Sequence, residues 1–429
     1  MKNKLFLVLF CAVLVLLDSQ NAKAIPAFAR KYQTTCITCH TVFPQLNAFG
    51  ESFRMNGYQF PKDDDEKTKE KPVELGSEAY KRVWPDAIWP NFMPGSSPIS
   101  LRGRTAFAIA TDTSGATSSE FGMPALQIYG AGVLGKDISI WVGAHLFENG
   151  VAGSIDNFFV KFDNVLSDYL PEKLLYVKVG QFIPELVPFA TNHRGLTESA
   201  YALNTYDPSM GRNFVAGHVH GAGPFGIEKF QLGIELSGIV NGNLRYVLGC
   251  INGNSVAVDN NSSKDFYGRF AYKFGGLGFD GTANDGAVSE DSVNNLGETS
   301  FTIGAFGYKG IGTISPALVD YDFYRAGADI NLQLMKLSIV GGYILGSNGV
   351  MDNQKYNLYF GEVQYMFYPW LLGLVRYEQA NPKTLESFKQ FVVHFSTLIV
   401  ANVKVKTETR LNPDNLKLYN LFLGLDFAL

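Results

Sequence analysis

The sequence predicts a mainly β protein: a small N-terminal helical module ahead of a transmembrane antiparallel β-barrel of about 16 strands. Three observations predict it. From Ile99 to the C-terminus, apolar and polar residues alternate with period two, the pattern of strands with lipid on one face and water on the other. The chain of 429 residues holds 44 Gly, 33 Phe and 21 Tyr with only 18% charged residues, which suits a β-rich chain with one greasy surface. After Leu17 no apolar run reaches the roughly 20 residues of a membrane helix, so a bilayer is crossed by a closed barrel. A net charge of −4 gives no reason to expect nucleic acid.

Residues 1–24 read as a secretory signal peptide. Lys2 and Lys4 precede the apolar run Leu5 to Leu17, and Ala22-Lys23-Ala24 offers a small-residue cleavage site. Cleavage there leaves Ile25 first. Export combined with a barrel places the protein in the bacterial outer membrane. Phe10 before Cys11 argues against a lipid anchor, and four cysteines offer no disulfide framework. Cys250 reads as a lone thiol in a strand.

Residues 25–60 carry the chemistry. In Cys36-Ile37-Thr38-Cys39-His40 two thiols stand two residues apart with a histidine directly after. This is the covalent attachment pattern of c-type haem: the thiols reach the two vinyl groups on one porphyrin edge, and the histidine ligates the iron. Cys36 and Cys39 are the expected thioether positions and His40 the proximal ligand of one haem c. Half a zinc site or a redox dithiol are the plainer alternatives. The first lacks a second CxxC, and the second lacks a βαβ context. Pro44 opens a helical pattern with Leu46, Phe49 and Phe53 on one stripe and Gly57 at its end. Met55 is the nearest candidate for the distal iron position, yet it projects about 150° from that stripe at roughly 100° per residue. Met93, a histidine of the later domain, or no protein ligand are the alternatives.

Residues 61–98 read as linker and connector. Pro61 to Pro72 encloses a mixed-charge run without an apolar residue, and Trp84, Trp89 and several prolines follow.

Residues 99–429 form the barrel. Phe230, Leu232, Ile234 and Leu236 alternate with Gln231, Gly233, Glu235 and Ser237; Tyr324 to Leu334 and Val403 to Arg410 repeat the pattern. A soluble sandwich also alternates, but these strands are long and the polar faces have no second apolar layer to meet. Asn252–Lys264 and Gly281–Thr299 read as long outward loops. Leu421, Leu423, Leu425, Phe427 and Leu429 read as the strand that seals the barrel. Between Phe182 and Asn213 the strand rhythm breaks. The preferred reading is a surface loop; the alternative folds it into the lumen, with His193 near the iron and Arg194 on a haem propionate. His218 and His220 share a strand face and read as lumen histidines rather than a metal pair.

Pro26-Ala27-Phe28-Ala29-Arg30, the Cys36/Cys39/His40 motif, and Leu46-Asn47-Ala48-Phe49-Gly50 leading to Phe53-Arg54-Met55-Asn56-Gly57-Tyr58 together resemble the fused cytochrome–porins. These are outer-membrane proteins with one c-type haem ahead of a barrel, and the best-known members are iron oxidases of iron-oxidising bacteria. Only this N-terminal window carries the resemblance in sequence; the rest is similar in architecture alone. Relatives tend to carry leucine where this chain has Met55, so no family role passes to that residue. The resemblance implies one-electron transfer across the outer membrane between an extracellular donor or acceptor, such as iron, and a periplasmic cytochrome. Three rivals stand beside it: a solute porin with a haem-bearing plug or sensor, a haem enzyme such as a peroxidase, and a soluble cytochrome fused to a sandwich. A peroxidase needs a distal acid–base pair that the short module does not display.

Overall fold

The computed structural model describes residues 27–71, 73–74, 92–93, 95, 98–111, 116–148, 150–187, 195–198, 201–202, 227, 230–253, 259, 261–282, 298–314, 319–348, 354–383 and 387–429. The signal segment lies outside them.

Sixteen long strands form the barrel: β1 (Ile99–Thr111), β2 (Thr117–Leu134), β3 (Ile138–Glu148), β4 (Ile155–Phe162), β5 (Tyr176–Phe182), β6 (Gln231–Val240), β7 (Leu244–Ile251), β8 (Asp265–Phe274), β9 (Thr299–Ile314), β10 (Val319–Leu334), β11 (Leu337–Asn348), β12 (Gln354–Tyr368), β13 (Leu371–Pro382), β14 (Phe388–Val400), β15 (Val403–Leu411) and β16 (Leu418–Ala428). Each pairs antiparallel with its sequence neighbours, and β16 closes on β1 with Phe427 opposite Gly103. The Phe427 ring lies over Gly103, where a Cβ would stand 2.2 Å from it, so a larger residue there would displace the ring. No described helix is long and apolar enough to cross a membrane; the strands cross it.

Period two decides which side chains face lipid. On β10, Tyr324, Ile330 and Leu334 are exposed while Arg325 and Asp329 between them are buried in the lumen. On β15, Lys404, Lys406, Glu408 and Arg410 all point inward and are buried. Exposed Tyr272, Phe274, Tyr365, Phe367, Tyr368 and Trp370 gather at the end where β8 and β12 finish. Their amphipathic rings suit the membrane–water boundary.

Short connections alternate with longer ones. Met335-Lys336, Pro369-Trp370 and Ala401-Asn402 each join a hairpin at the end that also holds the start of β1 and the end of β16. Asn252–Lys264 emerges at the opposite end. Gly281–Thr299 does not, against the sequence expectation: it follows β8 and shares the tight-turn end, because strand parity, not loop length, fixes the side.

A second correction concerns the lumen. The described parts of the segment after β5 do not lie on the surface. Leu186, Val187, Tyr201 and Ala202 are buried in a core with Phe306, Phe323, Tyr356, Leu358 and Phe360 of the barrel wall. The inward face of β12 shows why. It runs Tyr356, Leu358, Phe360 and then Glu362, Gln364, apolar toward the long-loop end and polar toward the tight turns. The apolar half is sealed by the inserted segment rather than by water.

Polar anchors hold that segment. The Tyr201 hydroxyl donates to Glu362 at 3.0 Å, and the Ala202 amide donates to Glu378 at 2.8 Å. Fully buried Arg376 stands 3.3 Å from both carboxylates with its guanidinium 4.0 Å from the Tyr201 ring centre. Substituting it by a neutral side chain strands two buried anions, a loss of about 3–5 kcal/mol. Arg376→Met is therefore expected to lower the temperature at which the folded barrel changes its gel mobility. An unshifted transition would show that the inserted segment is held without this ion cluster.

Candidate functional site

The N-terminal module folds inside the tight-turn end of the barrel. Helix α1 (Ala27–Tyr32) ends where Thr34 N donates back to Ala29 O, and a single 3₁₀ turn (Cys36–Thr38) then carries the first thiol. A small hairpin pairs His40–Val42 with Gln45–Leu46, and helix α2 (Ala48–Met55) follows. The helix thus starts later than the sequence pattern from Pro44 suggests: Leu46 belongs to the hairpin. Gly57 at φ +67° ends the element as expected.

Asn47 is the staple that sequence reading gave no role. Its side chain caps α2 by accepting from Gly50 N at 2.8 Å, and donates to Ile37 O and Thr38 O at 3.3 and 3.0 Å. Its own amide donates to Cys39 O at 3.0 Å. The signal was available in retrospect: an asparagine directly before a helical stripe is a preferred N-cap. Gly50 packs so tightly on the motif that a Cβ would stand 2.0 Å from the Cys39 carbonyl oxygen.

Aromatic rings build the walls. Phe28 meets Phe53 edge-on at 5.0 Å and stacks on Tyr58 at 5.4 Å. Tyr58 in turn stacks on Trp141 of β3 at 5.3 Å, which ties the module to the barrel. Each such pair contributes about 0.5–1.5 kcal/mol beyond area burial. The mixed-charge run after Pro61 is not a bare linker: helix α3 (Asp64–Lys67) docks on the module. Asp64 accepts from Tyr32 Oη at 2.5 Å and from Lys31 Nζ at 3.1 Å.

Cys36, Cys39 and His40 line one cavity of about 330 Å³, together with Phe28, Phe53 and Arg102 of β1. The two thiols are free and half-buried. Burial pushes the Cys39 thiol up to about 12 and raises Cys36 as well. Thiols so protonated do not suit a redox dithiol, whose nucleophile is a thiolate. Among the described residues no group of three or more His, Cys, Asp or Glu could hold a metal ion, so the zinc alternative gains no second ligand pair there. Burial pushes His40 down to about 4, against hydrogen bonds to the Pro44 and Gln45 backbone that favour the cation. The imidazole is thus neutral at neutral pH, the form that binds metals. Its Nδ1 lies 3.2 Å from Pro44 O, a backbone contact of the kind that orients a metal-binding imidazole. Two accessible thiols, a neutral oriented imidazole, aromatic walls and a bordering cation fit a covalently attached porphyrin.

Met55 does not line this cavity. It faces the barrel wall, packed on Tyr176, Ile239 and Phe279, and its carbonyl accepts from Lys161 Nζ at 2.7 Å. The backbone of Met93 pairs with Val73; its side chain lies outside the described residues, as do His193, Arg194, His218 and His220. Of the barrel histidines that are described, His145 engages Asp156 at 2.7 Å and His394 engages Glu408 at 3.0 Å. Cys250 lies on β7, free and half-buried.

The module and the inserted segment meet. Arg54 of α2 pairs with Glu51 at 2.9 Å and with Glu185, which also pairs with Arg245 of β7. Phe182 and Glu185 border the same cavity as the cysteines.

No protein-family model and no curated protein matches the chain. Solved structures do. An anion-selective porin from Comamonas acidovorans superposes with a TM-score of 0.50 at 12% identity, over 78% of this chain and all of that one. Salmonella typhi OmpF, solved with daunomycin, gives 0.50 at 11% identity, over 77% of this chain and 97% of that one. At such identities the likeness shows the fold: the chain is a porin-like outer-membrane β-barrel.

Proposed function

We propose that the chain carries one c-type haem in the tight-turn end of its lumen and passes single electrons across the outer membrane. The observation that carries this reading is the convergence of Cys36, Cys39 and His40 on one aromatic-walled cavity inside the barrel. A haem supplies reversible one-electron exchange at its iron. In this chain Cys36 and Cys39 would hold the group covalently, and His40, oriented by Pro44 O, would bind the metal. The ring cluster around Phe53 would shield it from water. Tight turns face the periplasm in outer-membrane barrels, so the cavity lies on the side of a periplasmic cytochrome. The inserted segment, through Glu185 beside Phe182 of β5, links the cavity with the outer half of the lumen, where an extracellular donor or acceptor such as iron is met. Iron as that donor comes from the resemblance of the N-terminal window.

A second reading has its own observation. A cavity of about 200 Å³ runs between α2 and the wall of β8 to β12, lined by Arg269, Lys273, Glu298, Asn331 and Gln333. Space of this kind, bordered by charged and amide side chains beside α2, favours a solute porin in which the module is a plug.

One experiment separates them. The purified chain is placed in lipid vesicles with ferrous iron outside and a membrane-impermeant oxidant trapped inside. Cycling of the haem band with consumption of the oxidant is expected. An inert haem with leakage of small solutes would overturn the electron-transfer reading in favour of the porin.

A further inference from the structure

The geometry points to Arg102 as the residue that holds a haem propionate, with the β16–β1 closure seam as its electrostatic backing. This rests on the haem reading above and adds to it a barrel residue that the haem motif alone does not suggest.

Arg102 enters the cavity that holds Cys36, Cys39 and His40 from the opposite party, the barrel wall. It is buried, and its guanidinium plane is fixed by Asp426 through Nε at 2.9 Å and Nη2 at 2.6 Å. Tyr129, another residue lining the cavity, hydrogen bonds to it. A planar guanidinium held in this way is prepared for a second carboxylate.

The seam behind it gathers several buried cations around one carboxylate, Asp426. Lys406 and Lys404 approach the same Asp426 at 3.5 and 3.7 Å. Lys406 has a further partner in Glu198, and Arg104 stands 3.8 Å from Glu148. Fully buried Lys404 has its shortest contact not with an anion but with Phe43 O, and it lies 4.8 Å over the Phe43 ring. Phe43 itself borders the cavity. A porphyrin carboxylate entering beside Arg102 would meet the guanidinium in a setting where buried cations surround Asp426. Covalent attachment through Cys36 and Cys39 and the anion contact at Arg102 would then clamp the group between module and barrel.

The test uses the full-length haem-loaded chain and two variants with opposite charge changes. Arg102→Gln removes a positive charge beside the porphyrin and is expected to lower the haem midpoint potential, because a neighbouring cation disfavours the ferric state, which carries the extra positive charge, more than the ferrous state. Asp426→Asn removes a negative charge from the same seam and is expected to raise it. Covalent haem content is expected to stay that of the unsubstituted chain, since the thioethers are untouched. Arg102→Lys keeps the charge but loses the fork. It is expected to hold the midpoint while shifting the propionate bending band in resonance Raman. Midpoints that do not move, or that move in the same direction in the Gln and Asn variants, overturn the assignment, as does an unshifted propionate band in Arg102→Lys. Absence of covalent haem from the unsubstituted chain overturns the underlying haem reading and this assignment together, before any variant is compared.

Discussion

The double variant Cys36→Ser/Cys39→Ser is expected to lose essentially all covalently bound haem while the barrel still folds and inserts. The two thiols are the only groups of the motif that form bonds to the porphyrin edge, and a serine hydroxyl does not add to a vinyl group under the same conditions. The barrel depends little on them. Its hydrogen-bond ladder closes through β16 and β1 without the module, and the inserted segment is held by Glu362, Glu378 and Arg376. Haem staining of denaturing gels reads the first effect, and heat-modifiable mobility of the unboiled protein reads the second. Full staining in the double variant would show that the cavity around His40 is not the attachment site. Loss of the folded band would show that the module is needed to assemble the barrel.

Gly50→Ala is expected to have the next largest effect, although it adds one methyl group. The new Cβ would stand 2.0 Å from the Cys39 carbonyl oxygen, 2.9 Å from its carbon and 3.0 Å from Leu46. Two of these atoms are backbone, so α2 must move off the motif rather than a side chain swinging away. Overpacking of this kind costs about 1–3 kcal/mol. The movement also pulls on the Asn47 staple, whose hydrogen bonds to Ile37 O, Thr38 O and Gly50 N hold the two cysteines in register with the helix. Haem-to-protein ratio after purification is expected to fall several-fold. Gly307→Ala is the matched control, because a Cβ there meets nothing within 4 Å. Equal haem content in the two variants would show that α2 adjusts without disturbing the attachment turn.

Much of the protein is legible in its sequence because two signals there are local. Strand alternation has period two, so which of Tyr324, Arg325 and their successors faces lipid follows from position alone, and the solvent on each side enforces it. The strand count follows from bilayer thickness. The Cys36/Cys39/His40 spacing is likewise local, and the haem proposal starts from it. Gly57 ends its helix for a backbone reason that needs no neighbour.

What failed to be legible depends on neighbours distant in sequence. The segment after Phe182 reads as a surface loop because Pro184, Pro188 and Pro208 and its length break the strand rhythm. It is drawn inward by the apolar half-faces of strands such as β12, which the chain reaches only much later. Asp64, in a run that looks like a solvated linker, is captured by Tyr32 and Lys31. Met55 is near the haem motif in sequence, yet α2 turns it to Tyr176 and Ile239. Arg102 is one of many arginines until barrel closure sets it beside Asp426 and the cysteine cavity. By itself, then, the sequence determined a β-barrel of the outer membrane with one CxxCH motif ahead of it. Only the tertiary structure decided that the motif sits inside the barrel, that the lumen is packed above it, and which wall residues meet it. The reason is that periodicity and covalent spacing act along the chain, whereas lumen contacts are set by ring closure between residues hundreds of positions apart.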